Sequence, residues 1–388
     1  MSSSFKRNMN FCIIIITLAC AACPAAVSLT FFSESSIDKI HHQWMIKYGR
    51  TYANTSEMEK RRIIFKENLK FIKKRNKMNM AAGKNYTLGL NDFSDLTTEE
   101  LISCSGIKNI PSELASSKTV FFNMSVDNIP MTVDWRKRGA VTSVKNQGTC
   151  VLLNTKASFI QCHILIFTPP KCFSIIIIII IIIIIWVNQC VAGGCWAFAT
   201  VGAIESSWKI KTGNLISLSA QHLIDCDSQS KGCRGGYIDT AFEFEATFAD
   251  GIPSEDDYPF KGIQQACRDD FKPSAGINDF HFVPGGSEQQ LLQAVAQRPV
   301  AARIASGPEI HAYKGGIYSG PCGPSLNHAI VIVGYGISVY GQNYWIIKNS
   351  WGNVWGESGY MKLTRGTGSP QGHCSIAAGY SIYPTLMS

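Results

Sequence analysis

The chain has no pair of CxxC motifs, no internal repeat, no Arg/Lys stripe interleaved with aromatics, and no uninterrupted apolar run as long as a membrane span. Each absence excludes a class. Without paired ligand motifs, the scattered cysteines do not read as a zinc site. Without a basic stripe, the net charge of +8 does not read as a nucleic-acid footprint. The excess sits at the amino-terminal end, where residues 1–126 carry 17 Lys/Arg against 10 Asp/Glu; the remainder carries 19 against 18. The apolar stretches, Phe11–Ala22 and Ile175–Val187, are shorter than the roughly 18 residues that argue for a spanning helix. No cofactor, metal, nucleic-acid partner or membrane span is therefore expected.

What is present begins with a secretory pattern. Lys6 and Arg7 precede the apolar stretch, and Ala25-Ala26-Val27-Ser28 offers small residues for cleavage, so residues 1–28 read as a signal peptide. Secretion implies an oxidising compartment in which cysteines pair. Of the 14 cysteines, Cys12, Cys20 and Cys23 leave with the signal. Sequons at Asn54, Asn85 and Asn123 fit the same route. The expected location is the secretory pathway, ending outside the cell or in a vacuole or lysosome.

Residues 37–77 carry helical patterning, with Phe65, Leu69 and Ile72 at steps of four and three and Glu57 placed to pair with Arg61. Gly83 breaks the pattern, and Asn91-Asp92 opens a polar turn. Residues 104–128 have little periodicity and read as a linker open to proteolysis. From Asp134 the composition is that of an enzyme. Ala197, Val201, Ile204 and Trp208 mark one helix face closed by Gly213, and 218–225 and 239–249 suggest further helices. After about residue 300, strand-like runs follow: His328–Tyr335, Asn343–Lys348 and Tyr360–Thr364. Helices first and strands second predict a two-lobed α+β protein with a substrate cleft between the lobes.

Four side chains suggest one chemistry. Cys195 opens the apolar-faced helix, where the partial positive charge of a helix start favours a thiolate. A lone cysteine there is more often structural, as a strand histidine is more often a satisfied polar group. Yet His328 opens one strand-like run, and Asn349 follows the next. An imidazole beside Cys195 would form a thiolate–imidazolium pair, with Asn349 holding the ring and Trp351 covering that bond. Gln147, otherwise an ordinary loop amide, is a plausible oxyanion donor together with the Cys195 backbone N–H.

Together these segments resemble the papain family, in its cathepsin L-like branch with many plant members, over about residues 37–384 apart from 151–192. Glu57, Arg61, Phe65, Asn68, Ile72 and Asn76 match the family's interspersed propeptide motif, and Gly89, Asn91, Phe93 and Asp95 its second one. Asp134-Trp135-Arg136 matches the start of the mature enzyme. The resemblance implies a two-lobed papain-like fold, with a helical lobe and an antiparallel β-barrel-like lobe, preceded by an α-helical inhibitory propeptide at 29–126. The peptidase domain would span 127–388.

The same resemblance makes Cys195 the nucleophile, His328 the acid/base, Asn349 its orienter and Gln147 the oxyanion donor of a cysteine endopeptidase. Gly235 and Gly236 would bind substrate backbone. Ile238, Ala329, Gly379 and Arg303 would line the main specificity pocket. Arg303 stands where the family has a small apolar residue: either it points away, or the pocket admits acidic or polar groups. The implied disulfides are Cys150–Cys233, Cys226–Cys267 and Cys322–Cys374; Cys162, Cys172 and Cys190 have no implied partner. The implied partners are polypeptide substrates, the chain's own propeptide and cystatin-type inhibitors, with a monomeric enzyme.

Residues 151–192 break this pattern. They hold eleven consecutive isoleucines, Ile175–Ile185, an aggregation-prone run with no place on a soluble loop. Removing all 42 residues gives Cys150-Gly193-Gly194-Cys195-Trp196, an unbroken family motif. A translated intron or gene-model error accounts for this better than an evolved loop. Gln189 also lies six residues before Cys195, the spacing Gln147 has after excision, but Ala192 then falls on the bridge-cysteine position. The alternative function is an inactive papain-fold protein whose cleft the insert disrupts.

Overall fold

The computed structural model describes residues 34–102, 117–125, 128–148, 151–152, 193–247 and 251–386. The signal segment, most of the expected linker, Cys150, Gln189 and residues 153–192 lie outside the described residues. Two units divide the chain, Met1–Arg50 and Thr51–Ser388. In the first, helix α1 (Glu34–Tyr48) places Trp44 beside His41 and Tyr48, with ring centroids 5.8 and 5.7 Å away.

The second unit opens with helix α2 (Thr55–Ala81), whose first turn is capped by Asn54 accepting from the Glu57 N–H at 2.9 Å. The helical pattern of 37–77 is thus two helices, because Gly49 adopts a left-handed φ of 60° and Asn54 starts a new one. On α2, Phe65, Leu69 and Ile72 are buried, and Arg61 bonds Glu57 at 2.7 Å and Glu100 at 2.9 Å. The motif asparagines have a backbone task. Asn68 donates to the Ser94 and Leu96 carbonyls at 3.0 and 2.9 Å, and Asn76 exchanges two 2.8 Å bonds with Leu88. Leu88 belongs to strand β1 (Tyr86–Leu88), and Glu100 to the short helix α3 (Thr98–Ile102).

The rest of this unit follows the order β2 (Val133–Asp134), β3 (Val151–Leu152), α4 (Cys195–Thr212), α5 (Ala220–Cys226), α6 (Ile238–Thr247), β4 (Ile263–Gln264) and β5 (Asp279–Val283). Then come α7 (Glu288–Gln297), β6 (Val300–Ile304), α8 (Pro308–His311), β7 (Tyr313–Tyr318), β8 (His328–Ile337), β9 (Asn343–Lys348), β10 (Tyr360–Thr364) and β11 (Ser381–Thr385). The main sheet runs β1-β7-β10-β9-β8-β6-β11-β5, with β2 also on β8. Its pairings are antiparallel except β7 with β10, a departure from a purely antiparallel lobe. The first residues of the insert, β3, pair in parallel with β4.

Strand β8 explains why its run is apolar without alternation. Ile330 and Ile332 belong to one buried cluster, with Trp345, Trp351 and Trp355. Ala329, Val331 and Val333 belong to the other, with Cys195 and much of α4. A strand whose two faces serve two cores has no polar side to show. Gly334 marks its bulge: an added Cβ there would lie 2.1 Å from the Val133 carbonyl oxygen.

The unpatterned stretch expected as a linker is docked where it is described. Val120 N–H bonds the Phe282 carbonyl at 3.0 Å, and Phe122 and Met124 N–H groups bond the Gln290 and Gln293 side chains at 2.7 and 2.9 Å. Periodicity did not reveal this because the bonds are made by backbone, which needs no side-chain pattern.

Candidate active site

Helix α4 starts at Cys195, with Gly194 as its cap and no side-chain capping bond. A helix start without a capping side chain keeps backbone N–H groups available to an anion. Local packing forces glycine before it: a Cβ at Gly193 would lie 1.8 Å from the Cys233 carbonyl oxygen. Trp196 turns inward, is buried, and donates from Nε1 to the Gly232 carbonyl at 3.2 Å. Gly236 rests on that indole, where an added Cβ would come within 2.4 Å of the ring. The glycine loop 232–236 is therefore held against the first turn of α4.

His328 is the first residue of β8 and pairs across to Ile304 on β6. Its Nε2 bonds Asn349 Oδ1 at 2.8 Å, and the same oxygen accepts from the Ser350 N–H at 2.8 Å. Trp351 stacks on the imidazole at 4.4 Å between centroids and 28° between planes, which covers the His328–Asn349 bond. Burial pushes the His328 pKa down to about 4, against the opposing effect of the Asn349 bond. In the covered chain this imidazole is neutral over most of the acidic range.

Gln147 is buried near these residues. Its N–H bonds the Ser350 carbonyl at 2.8 Å, and its Oε1 accepts from the Ser350 hydroxyl. That assignment makes Nε2 the donor end of the side chain. Cys195 shares a packed cluster with Ala329, the neighbour of His328. The start of β8, the turn after β9 and the loop carrying Gln147 are thus tied together by hydrogen bonds, and α4 packs with β8 through the cluster that includes Cys195.

Of the expected pocket residues, Arg303 lies opposite Ala329 in the β6–β8 register. Its guanidinium reaches Gly379, whose ideal Cβ position is 3.4 Å from a terminal nitrogen. Ile238 is buried at the start of α6. The disulfides Cys226–Cys267 and Cys322–Cys374 are formed, and Cys233 is disulfide-bonded.

Two contributors escape the sequence. Ser350 holds Gln147, and His311 stacks on Trp351 at 5.0 Å. Burial first, then the charge of His328, pushes the His311 pKa down to about 3. Phe93 of the propeptide segment packs edge-on against Trp351 at 5.2 Å and His311 at 6.4 Å. Nothing around His311 in sequence marks it, because its partners come from three separate segments.

A buried cysteine at a helix start, an asparagine-held imidazole under an indole, and a helical segment docked beside them define a thiol hydrolase in covered form. The chain belongs to the papain family. The papain family cysteine protease domain matches residues 182–384, and the cathepsin propeptide inhibitor domain matches residues 41–101. It is 36% identical to the senescence-specific cysteine protease SAG12 of Arabidopsis thaliana, covering 98% of this chain and 99% of the relative. It is 37% identical to ananain of Ananas comosus over 95% of this chain and 93% of the relative.

Among solved structures, a recombinant stem bromelain precursor superimposes with a TM-score of 0.73 at 36% identity, covering 91% of this chain and 99% of that one. Digestive procathepsin L 3 of Tenebrio molitor gives 0.71 at 31% identity, covering 90% and 99%. The chain is a cysteine-type endopeptidase with its own propeptide as intramolecular inhibitor. Among the described residues no helix is long and apolar enough to cross a membrane. The matched peptidase range begins at residue 182, so it includes Gln189 and leaves out Gln147.

Proposed function

We propose that Cys195 is the nucleophile, His328 the acid/base, Asn349 its orienter, and Gln147 the oxyanion donor working with the Cys195 N–H. The observation that carries this reading is the His328–Asn349 bond of 2.8 Å under Trp351, beside the helix that Cys195 opens. Asn349 occupies Nε2, so the thiol proton goes to Nδ1. The Cys195 thiolate attacks the peptide carbonyl, and the oxyanion takes hydrogen bonds from Gln147 Nε2 and the Cys195 N–H. His328 then gives its proton to the departing amine, leaving a thioester. Water, deprotonated by His328, attacks the thioester; the acid leaves and the thiol is restored. Gln147 is preferred to Gln189 because Ser350 fixes its side chain next to Asn349.

The substrates are polypeptides, with backbone held by Gly235 and Gly236 and side chains received by Ile238, Arg303, Ala329 and Gly379. Cystatin-type inhibitors would compete for that cleft, and the mature enzyme is a monomer. Residues 1–28 direct secretion toward the cell exterior or a vacuole, 29–126 form the propeptide, and 127–388 the peptidase domain. The exposed Asn54, Asn85 and Asn123 are the glycosylation sites. A Cys150–Cys233 bridge completes the disulfide set. Residues 151–192 are an intervening segment absent from the working enzyme. The form lacking them should turn over peptide substrates after acid maturation and lose all turnover on Cys195→Ser. Equal specific activity and soluble yield of the 388-residue chain would refute the excision.

A further inference from the structure

We propose that Arg303 makes the main side-chain pocket of this peptidase select an acidic residue, two positions upstream of the scissile carbonyl's own amide partner. The inference rests on the endopeptidase reading and goes beyond it, since a pocket walled by Ile238 and Ala329 alone would select bulky apolar groups.

The position of Arg303 follows from register. Strand β6 sets it opposite Ala329, next to His328, on the β8 face that packs with Cys195. The side chain does not turn out to solvent: only 9% of the residue is exposed. A Cβ added at Gly379 would lie 3.4 Å from a terminal nitrogen of this guanidinium and 3.4 Å from the Leu326 side chain. Because residue 379 has no side chain, nothing of its own stands between the guanidinium and the pocket that the family resemblance assigns here. A guanidinium remains cationic throughout the working range of such an enzyme. Away from bulk water its field on an incoming carboxylate is strengthened, and its planar donors suit a carboxylate better than an amide or a methyl group.

Asp239, on the first turn of α6, is the described carboxylate whose charge acts on Arg303. Burial pushes the Asp239 carboxyl above its usual range, against the opposing field of Arg303. A substrate carboxylate would compete with Asp239 as the counter-ion of Arg303.

The test compares peptides that differ only by Glu, Gln or Leu at that position. Equilibrium binding to the Cys195→Ser protein, its propeptide removed in trans by the active enzyme, needs no turnover of its own, so a failure of catalysis and a failure of selectivity remain distinct. The expected result is Glu over Gln by on the order of ten- to a hundredfold, as for hydrogen bonds to a charged group. In active enzyme the same ratio appears in kcat/KM. Arg303→Leu should invert the order to Leu over Glu, and Arg303→Lys, which keeps the charge should the leucine variant fail to fold, should retain Glu over Gln. Equal binding of Glu and Gln, or Leu over Glu in the unsubstituted protein, would overturn the proposal.

Discussion

Replacing Glu205 with Gln tests how the two cores are tied together behind the site. Glu205 is buried on α4 and accepts from Thr142 Oγ1 at 2.6 Å, Lys145 Nζ at 3.0 Å and the Leu218 N–H at 2.9 Å. Lys348, the residue before Asn349, lies 3.9 Å away with its side chain 8% exposed. Burial pushes Lys348 down to about 8, and the charge of Glu205 opposes that loss. Glutamine keeps an acceptor for Thr142 but leaves Lys348 and Lys145 without their shared buried anion. Breaking such a pair costs about 3–5 kcal/mol, and the retained oxygen places this change near the lower end. Urea unfolding at neutral pH, in a Cys195→Ser background that prevents self-digestion, measures it. Adding Lys348→Met should recover part of the loss, since it removes the uncompensated cation. The sign with pH is fixed. Burial pushes the Glu205 carboxyl up, but the two lysines, Thr142 and the Leu218 amide together hold it below its ordinary 4.5. Its contribution is therefore complete above pH 4.5 and is lost as pH falls through the lower folded value. A Glu205→Gln protein within about 0.5 kcal/mol of the parent, the range of an ordinary surface substitution, would refute the reasoning.

Three further outcomes follow from the same geometry. His328 at about 4 and His311 at about 3 both sit below the ordinary 6.5, so the covered chain loses stability as pH falls from 6.5 toward those values. Thermal unfolding across that window should show the decline, and His311→Gln should flatten it; an unchanged slope would remove His311 from the account. Gln147→Ala should lower kcat by on the order of 10²–10³, as for one oxyanion donor, whereas Gln189→Ala in the full chain should do less; the reverse order would move the donor to Gln189. The form without 151–192 should mature at acidic pH by cleavage within residues 105–130, read by amino-terminal sequencing, and a main cut inside 57–100 would disprove that boundary.

The helices and strands that carry the chemistry were legible from their apolar runs: Ala197, Val201 and Ile204 on α4 are inside, as are Ile330 and Ile332 on β8. Every residue from Cys195 to Ser207 is buried, however, and Trp208 only partly, so α4 is not the one-faced helix that the spacing predicted. Asn68 and Asn76 were legible only through family resemblance, since their task is to bond distant backbone. The docking of 117–125 and the split between α1 and α2 were not legible, because backbone bonds and a single left-handed glycine leave little trace in hydrophobic periodicity. His311 and Ser350 were missed for another reason. Their role comes from what folds against them, Trp351 and Gln147, and neither neighbour is near in sequence. The direction of Arg303 was not legible either: the residue is buried, with a terminal nitrogen 3.4 Å from the ideal Cβ position of Gly379.

The most direct test of the account is mass spectrometry of the matured protein after reaction with an irreversible thiol-directed inhibitor under reducing conditions. The account predicts one adduct per chain, on the Cys195 peptide, appearing far more slowly in His328→Ala. No adduct, an adduct on another cysteine such as Cys190, or labelling indifferent to His328 would contradict it.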